Sequence, residues 1–170
     1  MTFQIVCGAA TAIRFVIQAI FMAHDHQNAF TAGTTSWFDT ETRPNFRKGQ
    51  SNKISLMQLS TQDTCFLFRL NYIGIPEPLE SFLCDDSIQK IGLSLRDDFN
   101  AIQKRSKLEP KSGIKAASLQ KIYAIIFNKK ISKGQRLSNW EADILSDGQK
   151  KYASLDAWAC LKIYKQLNAL

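Results

Sequence analysis

The sequence predicts an α/β domain with a mixed sheet, an antiparallel hairpin beside parallel strands, flanked by helices. Three observations predict it. Residues 53–70 read as a hairpin, because Ile54-Ser55-Leu56-Met57-Gln58-Leu59-Ser60 alternates apolar and polar residues and Cys65 to Phe68 is a continuous apolar strand core beyond the turn Thr61-Gln62-Asp63. Ile88 to Ser94 is a short apolar strand with no hairpin partner nearby, which suits parallel pairing. The last stretch carries Ala153, Ala157, Cys160, Tyr164 and Leu167 in 4-3-4-3 spacing, the pattern of a helix packed on one face. With 170 residues, 11 of them Phe, the chain is long and apolar enough for one buried core.

The elements follow in order. Phe3 to Cys7 reads as a strand and Ala10 to Ala23 as an amphipathic helix. Residues 24–35 are a polar loop, and Thr35 to Thr40 is a strand. The second hairpin strand extends to Leu70 across Arg69. Pro76 and Pro78 open a helix that runs to about Leu83. A helix follows from Asp97 to about Lys104, then a loop over 107–114, then a helix from Ser118 to Phe127 with Leu119, Ile122, Tyr123 and Ile126 on one face. After a basic loop from Asn128 to Arg136, Ser138 can cap a short helix near Asn139 or Trp140, and Ser146 can cap the last one.

The net charge of +7 is unevenly spread. Residues 104–151 hold twelve Lys or Arg and four acids, a local excess of +8, whereas residues 1–103 carry −2. Such asymmetry suits a polyanionic partner such as nucleic acid, and equally a solvated lysine-rich surface. The four cysteines form no CxxC pair, so zinc and redox motifs are absent, and reduced thiols in a cytoplasm are the simplest expectation. Residues 3–23 are apolar, but Arg14 and Gln18 interrupt them and no basic segment precedes them, which argues against a membrane span or signal peptide. His24 and His26 in a polar loop are more often solvated than metal-bound.

Three short blocks carry the candidate chemistry. Asp39 and Glu41 lie two apart on a strand and project to the same side. Burying two like charges is costly unless something compensates them, and a bound cation is the direct compensation; an exposed edge strand is the alternative. Asp98 stands between a buried strand and a helix, where Asp97 could serve as the cap or change places with it. Tyr152 and Asp156, four apart, share a face of the last helix beside the small residues Ala153, Ala157 and Ala159, which permit close approach to the sheet.

In this order the blocks closely resemble the DEDDy branch of the DnaQ-like 3′–5′ exonucleases. The nearest subgroup is similar to the Werner-type exonuclease domains, with ribonuclease D as a relative. Phe38-Asp39-Thr40-Glu41-Thr42-Arg43-Pro44, Leu56-Met57-Gln58-Leu59 and Arg136-Leu137-Ser138-Asn139-Trp140 support the likeness, which covers about residues 37–167. The resemblance implies a ribonuclease-H-like fold over residues 36–170, with residues 1–35 as a preceding strand, helix and loop of unassigned packing. It implies catalytic roles for Asp39, Glu41, Asp98, Tyr152 and Asp156. The four carboxylates would hold two divalent cations, Mg²⁺ or Mn²⁺: Asp39, Glu41 and Asp156 the first, and Asp39 with Asp98 the second. Tyr152 would orient the attacking water, and the product would be a nucleoside 5′-monophosphate from a 3′ end.

Lys129, Lys130, Lys133 and Arg136, in the loop before the last helix, become candidates for holding the substrate backbone. Met57 and Phe99 could stack near the terminal base, although the core is the commoner place for both. The text also departs from the family. Only 57 residues separate Asp98 from Asp156, and the family strand expected after the second block's helix is not found there, where Lys107-Leu108-Glu109-Pro110-Lys111-Ser112-Gly113 runs into the next helix. Two competing expectations are a nucleic-acid-binding module with an inefficient acidic site, and a structural protein with incidental acids.

Overall fold

The structure, a computed structural model, describes residues 2–6, 34–47, 49–50, 52–60, 64–86, 88–92, 95–105 and 119–168. The expected helix over Ala10–Ala23, the His24-Asp25-His26 segment and the 107–114 loop, where the sequence departs from the family, lie outside these residues. The strands are β1 (Thr2–Val6), β2 (Thr34–Thr42), β3 (Ile54–Ser60), β4 (Thr64–Phe68) and β5 (Ile88–Ile91). The helices are α1 (Leu70–Ile73), α2 (Glu77–Cys84), α3 (Leu95–Arg105), α4 (Leu119–Phe127) and α5 (Asp147–Asn168).

The sheet is mixed, in the order β1-β4-β3-β2-β5. β3 pairs antiparallel with β2 and with β4, while β1 runs parallel to β4 and β5 parallel to β2. The first strand of the chain therefore closes one edge of the sheet. β3 occupies the centre and is buried along its whole length, on both faces, rather than half-buried as its alternating text suggests. Its polar residues Ser55, Gln58 and Ser60 are enclosed because helices cover both sides.

Phe38, Met57, Leu59, Phe66, Phe68, Leu79, Phe82, Phe99 and Ile102 form the principal core on one face, beneath α2 and α3. On the other face Leu56, Cys65, Leu67, Trp140, Leu145, Ala153 and Ala157 pack beneath α5. The fully buried Ala153 and Ala157 bring that helix close to the strands, and Ala159 and Ile163 on another of its sides meet α4. Leu167, expected on the packed face, is instead 55% exposed.

Three local expectations are corrected. β4 stops at Phe68 instead of reaching Leu70: Arg69 turns its buried guanidinium onto the carbonyls of Ala142 and Asp143, and Leu70 begins α1. No helix forms at Asn139 or Trp140. Residues 134–141 are turns, where Ser138 donates to the Gln135 side chain at 2.6 Å and Asn139 Oδ1 accepts from the Glu141 amide at 3.2 Å. β5 ends at Ile91 rather than Ser94. By contrast Ser146 caps α5 as expected. The Gln149 amide donates to Ser146 Oγ at 3.2 Å and the Ser146 amide donates to Gln149 Oε1 at 3.0 Å, a reciprocal capping box.

Candidate active site

The site lies where β2 outruns its parallel neighbour. β2 pairs with β5 from Thr34 to Trp37 only, so its second half has no described strand on that side. The carboxyl end of a parallel strand is the usual place for a crevice in an α/β sheet. A register shift between Glu41 and Thr42 bends β2 at the same point. A cleft of about 390 Å³ opens there, lined by Asp39, Thr40, Glu41, Asp98, Leu119, Gln120, Lys133, Arg136, Tyr152, Asp156 and Cys160.

All five residues named for catalysis by the resemblance line this one cleft. Oxygens of Asp39, Glu41 and Asp156 lie within 4.8 Å of one another, a separation that one cation can span. Asp98 stands outside that trio. α3 brings it to β2 beyond the described pairing with β5, where Thr40 Oγ1 donates to its Oδ1 at 2.5 Å. Phe38 and Phe99, with ring centres 5.5 Å apart, lock β2 to α3 immediately behind this contact. Asp98 rather than Asp97 is the buried member of its pair, which resolves the choice the spacing left open.

The carboxylates are hard to ionise together. Burial, then Asp98, Glu41 and Asp156, push Asp39 well above the ordinary carboxylate range. Burial and the charges of Asp156 and Asp98 lift Glu41 to about 8, with Arg136 opposing them. Burial raises Asp98 to about 7 against the bond from Thr40. Burial likewise takes Asp156 to about 6, although the Tyr152 hydroxyl donates to it and Lys133 favours its charge. Asp98 Oδ2 is buried without a hydrogen-bond partner. Repelling oxygens and an orphaned carboxylate oxygen are what a hard divalent cation would satisfy, so the donor set fits such an ion. Tyr152, raised by burial and by Asp156 and Glu41, keeps its proton at neutral pH and acts as a donor.

The substrate-side expectations divide. Lys133 and Arg136 line the cleft and are exposed, whereas Lys129 and Lys130 are exposed away from its lining. Met57 and Phe99 are not at the cleft: Met57 is wholly buried, Phe99 is 8% exposed, and both belong to the principal core. Met57 faces away from Asp39 because of strand alternation, and Phe99 is spent on Phe38.

Sequence reasoning missed two contributors. Strand alternation turns Thr40 away from Asp39 and Glu41, to the side of Phe38, and there its hydroxyl meets Asp98 on α3. Trp140, the largest fully buried side chain, lies with its ring centre 6.1 Å from that of Tyr152 and backs it. The signal for Trp140 was present in the Arg136–Trp140 text; for Thr40 it lay in a partner on α3, which single-strand alternation does not reveal.

The profile of the 3′–5′ exonuclease family matches residues 32–170. The chain belongs to this family. It is 26% identical over 167 residues to the bifunctional 3′–5′ exonuclease/ATP-dependent helicase WRN of Mus musculus, covering 88% of this chain and 12% of that protein. It is 33% identical over 134 residues to exonuclease 3′–5′ domain-containing protein 2 of Drosophila melanogaster, covering 70% of this chain and 23% of that one. The chain thus spans only a minor part of these two relatives. Its fold is that of Escherichia coli RNase D, with a TM-score of 0.78 and 20% identity over 99% of this chain and 45% of that one. Trypanosoma brucei RNase D in complex with RNA U12 gives 0.74 and 14% identity, covering 96% and 61%. The exonuclease family and the mixed sheet together mark a DEDDy-type exonuclease of the ribonuclease-H-like fold.

Proposed function

We propose that the chain hydrolyses nucleic acid from the 3′ end and releases nucleoside 5′-monophosphates, using two divalent cations, Mg²⁺ or Mn²⁺. The observation that carries this reading is the convergence of Asp39, Glu41, Asp98, Tyr152 and Asp156 on one cleft whose rim holds Lys133 and Arg136. Asp39, Glu41 and Asp156 would hold one ion, and Asp39 with Asp98 the other. Bound there, the metal supplies Lewis-acid stabilisation of the phosphoryl oxygens and a water acidic enough to attack at neutral pH. Tyr152 is placed to orient that water as a hydrogen-bond donor, since its proton is held at neutral pH. Thr40 fixes Asp98, and Trp140 backs the Tyr152 ring. Lys133 and Arg136 present positive charge to the phosphates of the strand. The RNA complex of the T. brucei relative supports a nucleic-acid substrate.

The test is incubation of 5′-labelled single strands with Mg²⁺ or Mn²⁺. The expected result is a ladder shortening from the 3′ end, with mononucleotides as product. Asp39→Asn and Asp156→Asn should each lower the rate by two to three orders of magnitude, the scale for removing one electrostatic element of such a site. Full activity in either variant overturns the reading, and binding without degradation by the unaltered chain would make it a binding module instead.

A further inference from the structure

Phe46 is 83% exposed, although Phe38, Phe66, Phe68, Phe82 and Phe99 are all buried. It stands in the loop between β2 and β3, five residues beyond Glu41 and hence within ~17 Å of it along the chain. Residues 43–53 contain Arg43, Arg47, Lys48 and Lys53 and no acid. The described part of this loop is braced. Asn52 Nδ2 donates to the Arg43 carbonyl at 2.9 Å, the Arg47 amide to Asn45 Oδ1 at 2.9 Å, and the Gln50 amide to the Arg47 carbonyl at 3.3 Å. Gly49, at φ +80°, supplies the left-handed turn that this path requires. Arg43 is tied to Glu141 at 3.2 Å.

That last contact places the loop beside the cleft. The segment from Lys133 to Glu141 has Lys133 and Arg136 on the cleft and Glu141 on the loop, so it forms a wall common to both. A phenyl ring held outward by a hydrogen-bonded basic loop contributes nothing to the core. It has the makeup of a single-strand binding surface, an aromatic face for bases with cations for the backbone. We propose that the β2–β3 loop binds the single strand a few nucleotides upstream of the 3′ end, with Phe46 stacking on a base and Arg47 meeting a phosphate. The proposal rests on the reading that the cleft takes a 3′ end.

The experiment separates the two. Binding is measured by fluorescence anisotropy in the inactive Asp39→Asn protein, with labelled single strands of two to twelve nucleotides. Affinity should climb with length, and an added Phe46→Ala substitution should flatten the climb and raise the twelve-nucleotide Kd about tenfold, within the range of one lost stack. Phe46→Trp should restore the affinity and Phe46→Leu should not, while Arg47→Ala should lower the salt slope by about 0.7. An unchanged Kd in Phe46→Ala overturns the proposal and leaves the ring to a protein contact. Equal Kd values for Phe46→Leu and Phe46→Trp overturn it as well, since apolar bulk would then suffice. If the unaltered chain degrades nothing, the exonuclease reading fails, and the binding series still decides the role of Phe46.

Discussion

The two faces of the sheet are built for different ends. Beneath α2 and α3 the side chains of β2, β3 and β4 merge into one apolar cluster. Beneath α4 and α5 the packing divides into three smaller clusters, and Asp39, Glu41 and Asp156 gather beside them. Strand β2 shows the contrast in adjacent residues, with Phe38 wholly buried on one side and Asp39 turned to the cleft on the other. Gln58, opposite Asp39 on β3, is fully buried with neither amide atom paired. One face stabilises the fold, and its surplus permits the other to hold groups that destabilise it when no ion is present.

The largest effect expected from breaking this contrast is at Phe38. Phe38→Ala should cost about 3–5 kcal/mol in urea unfolding. Asp39→Asn should instead raise the melting temperature of the metal-free protein at alkaline pH, because it removes a buried carboxylate that is forced to ionise beside its neighbours. A fall in both variants would show that the faces do not differ in this way.

A second test uses pH. The folded values of Glu41, Asp98 and Asp156, about 8, 7 and 6, lie above their ordinary carboxylate values of 4.5, 3.8 and 3.8. Between those limits the native state holds more protons than the unfolded one, so stability should fall as pH rises from about 4 to about 8. Saturating Mn²⁺ should reverse this trend, since binding needs the deprotonated carboxylates. Melting curves across the range, with chelator and with Mn²⁺, check both signs.

Changes at the surface should have smaller effects. Charge reversal at Lys133 and Arg136 should weaken single-strand binding and flatten its salt dependence by about 1 to 2 in slope. An unchanged slope removes both from the substrate path. Ser146→Ala opens the capping box of α5 and should cost about 1 kcal/mol, read by urea unfolding.

The apolar face was the more legible of the two in the sequence. Its hairpin, its parallel strand and the α2 helix follow from periodicity and proline placement, which are local signals. The acidic blocks were legible as separate pairs: Asp39 with Glu41 by strand period, and Tyr152 with Asp156 by helix period. Their meeting followed from the family resemblance and from no local pattern, because periodicity does not encode where a neighbouring strand stops. Thr40 was hidden likewise, since its partner Asp98 comes from α3, 58 residues away. Arg69 was obscure for a related reason: its partners Ala142 and Asp143 lie in a segment whose shape is set by tertiary bonds rather than by propensity.

The pairing order carries a consequence for how the chain reaches this state. β2, β3 and β4 join sequence neighbours, whereas Thr2 must find Thr64 and Thr34 must find Ile88 before the sheet is whole. Pairings of that range form slowly, because the entropy of closing the intervening chain is lost before contacts compensate it. Asp39, Asp98 and Asp156 come from three such distant stretches, so their meeting is expected late in folding. Docking of α5 would then bring like charges together. A divalent cation held by Asp39, Glu41 and Asp156 would offset that repulsion, so refolding should be slowest in chelator. The ion that would equip the site for hydrolysis would then also act earlier, as an assembly factor.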